Sequence, residues 1–139
     1  MRRLIMLACS LWLMGTSLAL AQSTTAQGVF SEEQAKRGAV AYNANCAGCH
    51  GADLNSTDRE VPNLTGPTFK GRWVGKTIFE KFEEARDTMP PEEKRSLKDE
   101  MYLDIVIYIL RFNKVPAGQN ELKLDVETLK TIKISDPPG

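Results

Sequence analysis

The sequence predicts an all-α domain of three to five short helices, and three observations carry that expectation. Two capping-box patterns, Ser31-Glu32-Glu33-Gln34 and Thr77 to Glu80, each open an apolar run and supply acceptors for the N–H groups that a helix start leaves unpaired. Leu103, Val106, Ile107 and Leu110 recur at i, i+3, i+4 and i+7, the spacing of one helix face. The flanks of the cysteine pair near the middle of the chain lack the period-two alternation of strands. At 139 residues the chain has room for one ordinary core.

The first 21 residues read as an address. "MRR" supplies a positive start, "LIMLACSLWLMGTSLAL" an apolar stretch, and Ala19-Leu20-Ala21 a small-x-small cleavage site. An uncleaved anchor is the competing reading, for which the apolar run is only just long enough. Cys9 lies too near the start for a lipoprotein signal. Cleavage after Ala21 leaves Gln22 first and removes Arg2 and Arg3, so 16 basic residues face 18 acidic ones. This near balance gives no sign of a nucleic-acid partner, and export sets a periplasmic location with no stable membrane insertion once the signal is gone.

Residues 22–30, "QSTTAQGVF", are small and polar and read as a flexible leader. The first helix opens at the Ser31 box and runs toward Asn43, with Gly38 inside it either tolerated or permitting close approach of another helix. The second, "TIFEKFEEA", sets Ile78, Phe79 and Phe82 on one apolar face, expected to pack toward the functional site. Ser96 is the expected cap of the third, "LKDEMYLDIVIYILRF", whose stripe is widened by Tyr102, Ile105 and Ile109 into the main core helix. The last stretch, residues 114–139, places Leu122, Leu124, Val126, Leu129 and Ile132 among charges and is too apolar for a free tail. It is expected to strap over the domain of residues 31–113.

Chemistry concentrates in "NANCAGCHGADL", residues 43–54, where Cys46, Cys49 and His50 form C-x-x-C-H around the chain's one histidine. An exported Cys pair suggests a disulfide, yet a redox disulfide needs a strand-helix alternation that is missing. Zinc needs four ligands, and only two cysteines and one histidine remain after the signal is lost. Covalent haem attachment uses all three residues: each thiol adds across a vinyl group and the histidine is placed beneath the iron. A second axial ligand must then be a methionine. Met101 lies on the apolar helix and reads as packing, whereas Met89, followed by Pro90 and Pro91, is displayed from a stiff loop.

With C-A-G-C-H after a first helix, P-x-L-x-G as Pro62, Leu64 and Gly66, then T-M-P and the terminal "YLDIVIYIL", residues 31–113 resemble the class I c-type cytochromes. The resemblance implies a cytochrome c fold wrapped around one haem c, with Cys46 and Cys49 as thioether links and His50 and Met89 as axial ligands. It implies that Gly38 and Tyr42 meet the last helix near Ile107 and Tyr108, and that the Pro62 carbonyl accepts the His50 ring N–H. A hydrogen bond at the far ring nitrogen fixes the tautomer of a metal-bound histidine. Trp73, taken as a loop residue, is placed near a haem carboxylate by similar cytochromes, with core packing the competing role. Of the cations Arg59, Lys70 and Arg72, Arg72 is the candidate to pair there and the other two read as solvated. The tail "VPAGQNEL" is similar to those of cytochromes associated with periplasmic quinoprotein dehydrogenases.

The expected function is one-electron transfer by a non-enzymatic carrier, a monomer or weak oligomer. It would shuttle between a periplasmic dehydrogenase, with the quinoprotein class the candidate, and an oxidase or another cytochrome. Steering would come from local charge at Lys70, Arg72 and Lys76. An open-haem enzyme or gas sensor, or a fixed haem subunit of a larger oxidoreductase, are the rivals. The motif predicts that haem stays on the polypeptide through acid-acetone extraction and denaturing electrophoresis. Replacing both Cys46 and Cys49 by Ala abolishes that retention, and haem lost from the unaltered chain would refute covalent attachment.

Overall fold

The computed structural model describes residues 23–137; the proposed signal segment lies outside the described residues. Six α-helices follow one another: α1 (Glu32–Asn45), α2 (Ala47–His50), α3 (Gly66–Trp73), α4 (Ile78–Thr88), α5 (Asp99–Phe112) and α6 (Val126–Thr131). A short 3-10 turn, Thr25–Gln27, precedes them. Among the described residues there is no strand, only three isolated bridges. None of the described helices is long and apolar enough to cross a membrane.

The count exceeds the three to five expected. The single-turn α2 and the six-residue α6 are too short to show a periodic pattern. The helix α3 is missed because Gly66 and Gly71 lower its propensity, although Pro67 in its first turn suits a start, where no N–H partner is needed. Trp73, Arg72 and Lys70 therefore sit on a helix, not on the loop expected for them.

At α1, Ser31 caps by accepting from Gln34 N–H at 3.1 Å. The Gln34 side chain does not complete a capping box. It exchanges two 2.9 Å hydrogen bonds with the backbone of Leu122 and so ties α1 to the C-terminal segment. At α4 the box is complete, Glu80 N–H donating to Thr77 and Thr77 N–H to Glu80. Ser96 does not cap α5: the helix begins at Asp99, after Lys98, and Ser96 lies in the preceding turn, its N–H donating to Glu93 O.

The core is organised by α5, whose Tyr102, Leu103, Ile105, Val106, Ile107, Ile109 and Leu110 are all buried. A helix apolar around so much of its circumference needs partners on several sides. It finds α1 on one and α4 on another. The α1 crossing is close: a Cβ on Gly38 would lie 1.9 Å from Asp104 O and 2.9 Å from Tyr108 Cβ. One turn on, the Tyr42 ring packs on Tyr108 with centroids 5.1 Å apart. Around this crossing Arg37 pairs with Asp104 and Glu121, and Arg111 with Glu32.

Residues 23–30 differ from the flexible leader expected. Thr25 N–H donates to Lys133 O and Lys133 N–H to Ser23 O, at 2.9 and 3.0 Å, Gly118 N–H donates to Phe30 O, and Thr25 and Phe30 are fully buried. The apolar Phe30 and the backbone partners offered by the C-terminal segment outweigh the polar composition of its neighbours. That segment in turn bonds Ile132 O to Ile78 N–H, and Ile134 to Lys76 and Gly75. With Leu129, Ile132 and Ile134 buried, it covers the Ile78 and Phe82 side of α4.

The crossing yields a direct test. Gly38→Ala forces α1 and α5 apart and is expected to destabilise the protein by about 1–3 kcal/mol, the range for overpacking a tight core. Urea unfolding followed by helical circular dichroism measures it. A midpoint unchanged from the parent would show that the crossing tolerates a side chain.

Candidate functional site

A cavity of about 300 Å³ opens between α1–α2, the loop of residues 60–64, α3–α4 and α5. Cys46, Cys49 and His50 share one wall because a helical turn stacks residues three and four apart on one face. His50 N–H donates to Cys46 O at 3.0 Å and Cys46 N–H to Tyr42 O at 2.8 Å, so the motif continues directly from α1. Cys46 and Cys49 are free thiols. Burial pushes the Cys46 thiol up to about 11, with the neighbouring Cys49 adding to the effect. It is therefore neutral at ordinary pH.

His50 is 8% exposed, and its Nδ1 lies 3.0 Å from Pro62 O. A carbonyl can only accept, so Nδ1 carries a proton, and in the neutral imidazole Nε2 keeps its lone pair. The loop that presents Pro62 is built from several sides. Leu64 N–H donates to Leu54 O at 2.9 Å, Ser56 N–H to Asn63 Oδ1 at 2.8 Å, and Asn113 Nδ2, from the end of α5, to Leu64 O at 2.9 Å. Tyr42 Oη–H donates to Gly51 O at 2.7 Å, holding the turn after the motif. There Gly51 has φ +79°, and a Cβ would lie 2.1 Å from Asn55 O.

Met89 lies on the same cavity as His50. It ends α4 with extended backbone, φ −123° and ψ 147°, as a residue before proline favours. Its carbonyl accepts from Tyr102 Oη–H at 2.8 Å. The chain beyond it is folded back by Arg95 N–H donating to Arg86 O, while Arg86 and Arg95 hold the Asp87 carboxyl down to about 2. Met101 does not line the cavity and packs against the core.

Trp73 and Arg72 both reach the cavity, Trp73 buried and stacked on Phe69 at 5.4 Å, Arg72 exposed. Arg59 and Lys70 do not line it; Lys70 pairs with Asp136 at 3.0 Å. Lys70, Arg72 and Lys76 each have a carboxylate partner, so the cationic patch expected to steer partners is largely neutralised. Ile78, Phe79 and Phe82, expected toward the site, do not line it and pack in the core, where Ile78 meets the C-terminal segment. The cavity instead receives Lys81, Ala85 and Thr88, at i, i+4 and i+7 along α4. No residue of 114–137 lines the cavity.

Sequence reasoning missed Lys81, Glu84, Tyr102 Oη and Asn113. Helical phase pointed to the first: Lys81 shares a face with Ala85, one turn before Met89. The donor set fits a covalently attached haem: two thiols on the rim, an imidazole with a free Nε2, a thioether, and otherwise largely apolar walls such as Leu97, Ile105 and Ile109. Among the described residues no group of three or more His, Cys, Asp or Glu side chains is placed to hold a metal ion by itself.

Comparisons with known proteins agree with this chemistry. A comparison with curated proteins gave no match. A chain in the crystal structure of the sulfane dehydrogenase SoxCD from Paracoccus pantotrophus superposes with a TM-score of 0.52 at 19% identity, over 83% of this chain. This chain spans 61% of that one, and at such identity the likeness is one of fold. Residues 33–109 match the family model described as cytochrome C oxidase, cbb3-type, subunit III. That match takes in more than half of the chain, which therefore belongs to this family of c-type cytochrome domains, electron carriers with covalently bound haem c.

Proposed function

We propose that the protein is a periplasmic one-electron carrier, with Cys46 and Cys49 as the thioether links and His50 and Met89 as the axial ligands. The observation that carries this reading is that His50 and Met89 line one cavity, the His50 ring held by Pro62 O and the Met89 backbone by Tyr102. When bound, the haem supplies an iron that takes up and releases a single electron. The chain's own residues do the rest. Pro62 orients the His50 ring, Tyr102 anchors the Met89 backbone, and the apolar walls exclude water and disfavour extra positive charge in the site. Soft thioether ligation acts in the same direction, toward a comparatively high reduction potential.

Residues 31–113 form the haem-carrying unit in this reading, and residues 114–137 serve to brace it without lining the cavity. Export rests on the positive, apolar and small-residue pattern of residues 1–21. The donor is a periplasmic dehydrogenase, with the quinoprotein class the candidate, and the acceptor an oxidase or another cytochrome, met through a small transient interface. In this reading the carrier itself turns over no substrate and only passes electrons. A second reading, a fixed haem subunit of a larger oxidoreductase, is favoured by both comparisons, since one family description names an oxidase subunit and the similar structure is a dehydrogenase.

Two measurements test the proposal. Met89→Ala is expected to lower the reduction potential, whereas Met101→Leu, a swap that nearly conserves core volume, leaves it in place. The reverse result would move the ligand role to Met101. In stopped-flow mixing, the reduced free protein is expected to be reoxidised rapidly by a terminal oxidase or an oxidised cytochrome. Co-purification in one stable complex with an oxidoreductase, together with inertness when free, would establish the fixed subunit instead.

A further inference from the structure

Lys81 is the one lysine among the described residues that is buried, at 5% exposure, and it lies on the wall of the cavity. A desolvated ammonium is costly unless paired. Its pairing is lopsided. The Nζ has three N–H donors, yet its hydrogen-bonded acceptor is Glu84 alone, and its other neighbour is the Trp73 ring, with the centroid 4.8 Å away. The Lys81 side chain is 6% exposed, while that of Glu84 is 48% exposed and also approaches Arg72 Nη2 at 4.0 Å. The cation is fixed in the cavity wall, and its counter-ion can leave for water.

The charged side chains lining the cavity are Glu60, Arg72, Lys81 and Glu84. A haem brings two carboxylates of its own into such a cavity. We infer that Lys81 binds a haem carboxylate by exchanging it for Glu84, which holds the ammonium only until the haem is in place, and that this buried cation raises the reduction potential. The inference rests on the haem reading above. The exchange makes chemical sense of a buried cation whose partner is half exposed: the wall keeps one positive charge where an incoming anion needs it. A cation held beside the haem favours the form with one electron more.

The test is the midpoint potential of the haem-loaded full chain, with its visible spectrum and urea midpoint recorded alongside. In Lys81→Met, the ratio of oxidised to reduced protein at a fixed applied potential is expected to rise about three- to tenfold, the upper figure being 59 mV for one electron. Lys81→Arg should stay within about twofold of the parent. Glu84→Gln should also stay within about twofold, because Glu84 has already released the ammonium. If Lys81 instead remains paired with Glu84, removing the lysine deletes half of a neutral pair and Glu84→Gln unmasks a cation. Glu84→Gln would then lower that ratio several-fold, which is a raised potential, and that result overturns the inference. So does an unchanged potential in Lys81→Met with an intact spectrum, whatever happens to the urea midpoint. Should Lys81→Met fail to load haem, Glu84→Gln, at an exposed side chain, decides the matter by the same criterion. A spectrum altered in the unsubstituted chain would count against the axial-ligand reading and not against Lys81.

Discussion

The fold depends on how closely α1 and α5 cross. With no side chain at Gly38, the α1 backbone rests on Asp104 and Tyr108, and every later feature of the site is measured from that contact. It sets Tyr42 against Tyr108, and Tyr42 then reaches Gly51 at the end of the haem motif. It also sets the direction in which α1 delivers Cys46, and α2 winds the remaining thiol and His50 onto the same wall. From the other side, α5 supplies Tyr102 to the Met89 carbonyl and Asn113 to the loop that carries Pro62. One helix thus touches the supports of both axial candidates.

This arrangement divides labour between the two faces of the molecule. The cavity face is apolar with a few polar groups at its edge, as a site for a large apolar cofactor with two acidic arms requires. Away from the cavity, residues 23–30 bond to the C-terminal segment, which covers part of α4. Without that cover Ile78 and Phe82, both buried, would face water. The C-terminal segment therefore acts on the site indirectly, by fixing the helix that ends in Met89.

Much of this was legible in the sequence, and what was not has physical reasons. The C-x-x-C-H run and the Met-Pro pair are local signals whose meaning needs no neighbours, and the structure gathers their side chains on one cavity. The α5 stripe was legible because burial on a helix leaves a periodic trace. The helix α3 was hidden by two glycines, and the start of α5 by a serine that belongs to the turn before the helix. Which face of α4 meets the cavity could not be read from its apolar residues, because two apolar surfaces compete for them and the C-terminal segment wins. Phe30 was overlooked for a similar reason: a single aromatic in a polar stretch shows no period, although it is buried completely.

The central claim is that one cavity brings His50 and Met89 to the same iron. Near-infrared absorption of the oxidised, unmodified protein tests it most directly, since a thioether bound to the oxidised iron gives a weak sulfur-to-metal band that other axial ligands do not. The account predicts that band together with a low-spin spectrum. A high-spin spectrum without it would contradict the account and leave the sixth position open.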